Sequence, residues 1–242
     1  MKIIKLLLTL GLALSVVACS ATKNATDKGG EDSSTSQTKT TNPSIPQLGL
    51  SDNEWDSGRN TTSDGADTNA NTEPTRQLSS KAKSIVIYFS RSGSTQLLAK
   101  EIAETTNSDL LELTVDETYP SDYAETVSRA NKERESGNYP AITTDIPDLS
   151  QYDTVYLGYP IWGMSLSSPM ASFLKSYGSQ LTGKTIAPFA SNGGYGLGGS
   201  VEQIKGYLRD SNVVNGLSVK GNKVDQAQTD IENWLSNNNL TK

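Results

Sequence analysis

The chain has 242 residues and no histidine, and its one cysteine, Cys19, closes an apolar N-terminal run. Without imidazole, Ser-His-Asp and Cys-His nucleophile systems lack their base, and Cys/His metal sites and intrachain disulfides lack their ligands or partners. If the protein carries out redox or covalent chemistry, a bound cofactor is the expected source of it. One hydroxyl cluster is placed to hold such a group: Ser90-Arg91-Ser92-Gly93-Ser94-Thr95 joins an apolar run to a helical pattern. Backbone N–H groups and the helix dipole favour an anion at such a junction, and Gly93 permits close backbone approach, so a phosphate fits there. Taken alone, the same loop also reads as a plain polar strand-to-helix turn.

Two more segments close apolar runs, Gly158-Tyr159-Pro160-Ile161-Trp162-Gly163 with an aromatic and Ala190-Ser191-Asn192-Gly193-Gly194-Tyr195-Gly196 with three glycines. Trp162 by itself also reads as a core residue. Two glycine patterns are discarded. Gly178 to Thr185 matches the P-loop letters, yet a helix precedes it and a strand follows, the reverse of what that motif needs. Gly194 to Gly199 matches the dinucleotide pattern, but Val219-Lys220-Gly221 stands where an acidic ribose ligand belongs.

The elements that must position these loops alternate along the chain. Strands are expected at 84–89, 109–114, 154–158, 185–190 and 213–219. Helices are expected at 96–106, from Asp122 (paired with Glu125) to about 135, from Ser168-Pro169 to about 177, from Ser200 with Gln203, and from Asp225 with Gln228 to the end. The last helix turns Ile231, Trp234 and Leu235 inward. Apolar strands alternating with helices predict an α/β protein with a parallel sheet covered on both faces, whose ligands sit beyond the carboxyl ends of the strands.

The three loops together resemble flavodoxins, and in particular an exported lipoprotein subfamily with a Gly-x-Pro-Ile-Trp segment. The resemblance covers Ser84 to Leu235 and implies a flavodoxin-like three-layer sandwich, with a five-stranded parallel sheet in order 2-1-3-4-5. It further implies FMN, with Ser90, Ser92, Gly93, Ser94 and Thr95 at the phosphate. Tyr159, Pro160, Ile161, Trp162 and Gly163 would run along the ring, and Ser191, Gly193, Gly194, Tyr195 and Gly196 would meet its pyrimidine edge. Two departures stand out: Gly163-Met164-Ser165-Leu166 follows Trp162 where many relatives carry another aromatic, and Asn192 stands where the family often has histidine.

Composition divides the rest. Met1 to Lys5 carries two lysines and Leu6 to Val17 is apolar but too short to span a bilayer, the layout of a secretory signal. Val16-Val17-Ala18-Cys19-Ser20 resembles a lipobox, so residues 1–19 are expected to be a lipoprotein signal peptide with Cys19 as the site of lipid attachment. Ser20 to Lys83 is polar and holds one large aromatic, Trp55. It is expected to be a disordered linker reaching on the order of 40 Å, with Gln47 to Trp55 alternatively a docking segment. The folded domain, 84–242, has 12 Lys plus Arg against 18 Asp plus Glu. That balance disfavours nucleic acid and predicts an acidic surround for the cofactor. The function expected is electron transfer through FMN at the extracytoplasmic face of the membrane, between a redox partner and an acceptor. Carrier and reductase of quinones or other small acceptors both remain open, and the alternative is a flavin-free lipoprotein using the fold as an interaction module.

Overall fold

The computed structural model describes residues 47–59, 61–62 and 73–241. The signal peptide, Cys19 and linker residues 20–46 and 63–72 lie outside the described residues. Seven strands form one sheet among them: β1 (Arg76–Gln77), β2 (Ser84–Tyr88), β3 (Asp109–Glu112), β4 (Thr154–Pro160), β5 (Thr185–Asn192), β6 (Asn212–Val213) and β7 (Leu217–Lys220). The order is β1-β3-β2-β4-β5, with β6 and β7 both on β5. All pairs are parallel except β1 with β3. Leaving aside β1, and counting β6 and β7 as one interrupted strand, the order is the expected 2-1-3-4-5.

The interruption has a packing cause. A Cβ on Gly216 would stand 2.8 Å from Leu197 Cδ1 and 3.2 Å from Val201 Cγ2, so the backbone runs too close to its neighbours for a side chain. Beside it, the Asn215 carbonyl turns out of the ladder to accept from the Trp234 indole at 2.7 Å.

Every residue of β2 is buried, which requires cover on both faces. Alternation along the strands then sorts the core in two. Ile85, Ile87, Val155, Leu157 and Ile186 pack with Met170, Phe173 and Leu174 of α4 (Ser168–Tyr177) and Ile204 of α5 (Ser200–Tyr207). Val86, Tyr88, Ala187 and Phe189 pack with Leu98 and Ile102 of α2 (Ser94–Thr106) and with Ile231, Trp234 and Leu235 of α6 (Gln228–Asn237). Helix α3 (Tyr123–Ser136) begins at Asp122, whose carboxylate accepts from Glu125 N at 2.9 Å, and stops at Gly137 in the left-handed region.

Helix α4 begins one residue earlier than expected, with Ser167 in the N-cap position though its hydroxyl makes no cap bond, which makes Ser168 its first residue. The tether reading also fails over two stretches. Residues 73–83 zip onto the edge of the sheet: Glu112 N donates to Thr75 O, Thr75 N to Glu112 Oε2, and Ser79 N to Asp109 Oδ2, all at 2.9 Å. Residues 47–59 fold as well, with α1 (Asp52–Trp55) closed by a reciprocal Ser51–Glu54 capping box and followed by a 3-10 turn over Asp56–Gly58. Composition averaged over sixty residues hides both, because edge pairing and capping use backbone and polar groups rather than apolar area.

Candidate functional site

The carboxyl ends of β2, β4 and β5 meet at a cleft of about 280 Å³. The loop leaving β2 enters α2 through Gly93, whose φ of 87° suits glycine. Inside this loop the hydroxyls divide. Ser90 Oγ accepts from Gly93 N at 3.1 Å and so braces the turn. Thr95 Oγ1 is 2.7 Å from Ser191 Oγ, which ties α2 to the end of β5 in the interior. Ser92 and Ser94 line the cleft. No side chain caps α2, so the first-turn N–H groups of Ser94 and Thr95 have no acceptor among the described residues. Free first-turn donors beside two hydroxyls fit a phosphate.

Pro160, Ile161, Trp162 and Gly163 form one wall. Ile161 N donates to Ser191 O at 2.9 Å, and a tight turn returns the chain from Trp162 to Ser165 with Gly163 and Met164 at φ 57° and 62°. The Trp162 ring is held edge-on against Tyr119 at 4.8 Å and Phe89 at 5.6 Å, so it is both core and cleft wall. Burial, then the neighbouring Glu133, push the Tyr119 phenol well above its ordinary value. It therefore stays a donor, giving its proton's hydrogen bond to Glu133 Oε2 at 2.6 Å.

Ser191 and Gly193 also line the cleft, whereas Ser90, Gly93 and Thr95 of the phosphate loop do not, and four expected ring contacts lie elsewhere. Tyr159 is fully buried on the opposite face and meets Ser200 Oγ at 3.1 Å: in a strand that turns Pro160 to the cleft, its neighbour must point away. Gly194 and Gly196 do not offer their N–H groups to a ligand, since both donate to Asn192 Oδ1, at 2.8 and 3.3 Å. Tyr195, 64% exposed, stands outside the cleft. Asn192 is the pin of this loop, its Nδ2 reaching Ser218 Oγ and Val219 O at 2.9 Å.

Three contributions to the cleft escape sequence reasoning. Helix α3 supplies Thr126, Val127, Ala130 and Arg134, brought in only by tertiary packing. Residues 47–59 and Thr61 supply Gln47, Trp55, Ser57 and Thr61; the docking-segment reading of Gln47 to Trp55 covers part of this stretch but does not assign it to the cleft. The charged lining is also of the opposite sign to the domain: it consists of Arg91 and Arg134. Arg91 is buried and held by backbone carbonyls, its Nη1 3.0 Å from Ser121 O and its Nη2 2.6 Å from Thr61 O. The expected acidic surround is thus replaced locally by two guanidinium groups. On the far side of Trp162 a second pocket of about 240 Å³ shares Ala130, Trp162 and Arg134 with the first.

Comparison with known proteins places this geometry. The flavodoxin family model matches residues 83–238. A candidate flavoprotein of Bacteroides eggerthii, 28% identical, superposes with a TM-score of 0.56 over 66% of this chain and 99% of its own. A second, from Bacteroides uniformis, is 26% identical with a TM-score of 0.55 over 62% and 98%. A Lactobacillus acidophilus flavoprotein in complex with FMN is 25% identical, with a TM-score of 0.51 over 60% and 97%. No curated protein matches the chain.

Proposed function

Since this chain belongs to the flavodoxin family, we propose that it binds FMN in the cleft and passes electrons between a redox partner and an acceptor. One observation carries the reading: a helix N-terminus with unfilled donors, two inward hydroxyls and the Trp162 wall all open on one cavity. The FMN complex of the similar Lactobacillus acidophilus protein supports it.

Bound FMN supplies one- and two-electron chemistry. The residues do the rest. Ser92, Ser94 and the first turn of α2 hold the phosphate. Pro160, Ile161, Trp162 and Gly163 exclude water from one side of the ring, and the Tyr119–Phe89 packing fixes Trp162 there. Arg91 and Arg134 favour negative charge brought into the cleft. Asn192, already engaged through both ends of its amide, orders its loop and leaves no side chain there to supply a proton.

The domain works at the extracytoplasmic face of the membrane, held by lipid on Cys19. The apolar run Leu6 to Val17 and the Ala18-Cys19-Ser20 junction support this placement. Absorbance of the purified full chain tests the redox reading: a flavin spectrum with FMN released stoichiometrically on heating is expected, and a colourless protein that also rejects added FMN defeats it. Fractionation tests the anchor. Cys19→Ser should move the protein from membrane to soluble fraction, and unchanged membrane retention would refute lipid attachment there.

A further inference from the structure

The segment ahead of the domain does more than approach the cleft: it enters the position that the phosphate needs. Gln47 is 3% exposed, and its Nε2 donates to Ser92 Oγ at 3.1 Å and to Ser94 Oγ. Behind it the chain is anchored across the sheet's carboxyl edge. Trp55 is 4% exposed and packs over Gly221, next to Ser94. Asn222, itself fully buried, donates to Leu50 O at 3.1 Å and Asp52 Oδ1 at 3.3 Å. The Ser57 carbonyl abuts Gly193, where any side chain would collide with it. Arg91 holds Thr61 O at 2.6 Å.

Gln47 is a partial fit in that seat. Its nitrogen uses the two hydroxyls, but its Oε1 is buried with no partner, although the neighbouring N–H groups of α2 lack acceptors. The Ser94 hydroxyl already donates to Gly221 O at 3.2 Å, but a phosphate accepts in every direction and takes the Ser92 hydroxyl and the N–H groups together, so it outcompetes a carboxamide there. The cleft beside the segment is about 280 Å³, and a phosphate held by Ser92 and Ser94 would take the place that Gln47 now fills.

We propose that residues 47–59, with Thr61, are an internal competitor for the cofactor, with Gln47 the placeholder for its phosphate and Trp55 the anchor that keeps the segment at hand. The proposal rests on the reading of the cleft as an FMN site. A competitor of this kind lowers apparent affinity by the fraction of molecules in which it is docked. It also shields the phosphate loop whenever no cofactor is bound.

The test uses the full chain in detergent, with FMN titrated by quenching of its fluorescence and hydrogen exchange read over the 50–58 amides. Gln47→Ala removes one side chain's hold on the seat and should bind FMN about two- to tenfold tighter, through faster association. Gln47→Glu offers a carboxylate to the same hydroxyls and N–H groups, fills the seat better than the amide, and should bind FMN about tenfold more weakly. Saturating FMN should speed exchange across 50–58 in the wild type. Weaker binding by Gln47→Ala, or slower exchange with FMN, makes the segment a clamp and overturns the proposal, as does an unchanged affinity in both variants. If no variant binds FMN, the FMN reading fails; inorganic phosphate that still speeds exchange would then keep the placeholder for another phosphate ligand, and phosphate without effect would end both.

Discussion

Two hydroxyls of one loop, Ser92 and Thr95, should respond to removal in opposite ways. Thr95 is 1% exposed and its hydroxyl is spent on Ser191, so Thr95→Val keeps the volume and leaves Ser191 Oγ buried without its partner. That should cost about 1–3 kcal/mol of stability. Ser191→Ala should cost a similar amount by orphaning the other partner, and the double variant should cost clearly less than the sum, with a coupling of about 1 kcal/mol. Urea unfolding without cofactor reads all four corners of the cycle. FMN affinity reads the other half. Ser92 faces the cleft, and losing a hydrogen bond to a charged phosphate is worth about 1.5–3 kcal/mol, or roughly 10- to 150-fold in Kd. Measuring Ser92→Ala in the Gln47→Ala background keeps the segment's own hold on that hydroxyl out of the comparison. Thr95→Val in the same background should change affinity less than about threefold. Equal losses of affinity in the two variants, with no loss of stability in Thr95→Val, would refute this division of the loop.

Two further outcomes follow from the fold. Glu101 on α2 is half-buried with an unpartnered Oε2, and burial, then Asp225 and Glu104, raise its carboxyl from 4.5 to about 7. The folded state therefore prefers the protonated form, so its contribution to stability is complete below about pH 4.5, is lost as pH rises to about 7, and stays lost above. Discounted for its solvent exposure the loss is about 1 kcal/mol, so Glu101→Gln should raise Tm by about 2–4 °C at pH 8 and not at pH 4; an equal rise at both would refute the electrostatic cause. In β4, a Cβ on Gly158 would collide with the Phe189 ring, Cζ nearest and Cε2 at 2.6 Å, and with Tyr88 Cβ at 2.9 Å. Gly158→Ala should cost about 1–3 kcal/mol in urea unfolding, and a loss under about 0.5 kcal/mol would show that the core has slack there.

What the sequence discloses depends on how local the cause is. The continuous apolar run 84–88 needs no context to be read as a doubly covered strand, and Asp122 caps α3 through a partner three residues away. The hydroxyl loop is legible for the same reason, since its chemistry follows from its place before a helix. Tyr159 is misread because a motif assigns a contact to a whole segment, whereas an extended backbone alternates faces residue by residue. Gly194 and Gly196 are misread because the acceptor of their N–H groups, Asn192 Oδ1, is set by a fold of the loop that glycine content does not specify. Arg134 reaches the cleft only because α3 packs beside α4 and brings the guanidinium over Gly163, a long-range placement that no local pattern records.

Arg134 also shows why net charge is a poor guide to this site. The domain as a whole is acidic, and that alone predicts a cofactor that is harder to reduce. Yet the guanidinium lies over Gly163, about 3 Å from where a Cβ would stand, and borders both pockets flanking Trp162. Coulomb energy falls with distance, so one nearby cation outweighs distant surface carboxylates, which salt screens further. The residue is exposed, and near-aqueous surroundings limit a charge even at about 4 Å to roughly 1 kcal/mol, or about 40 mV for one electron. Arg134→Gln should therefore lower the midpoint potential of the FMN-loaded protein by up to about 40 mV at low salt, and by less at high salt. A potential that does not move, or that rises, would mean that the guanidinium does not act on charge in the cleft and that the acidic surface sets the field there after all.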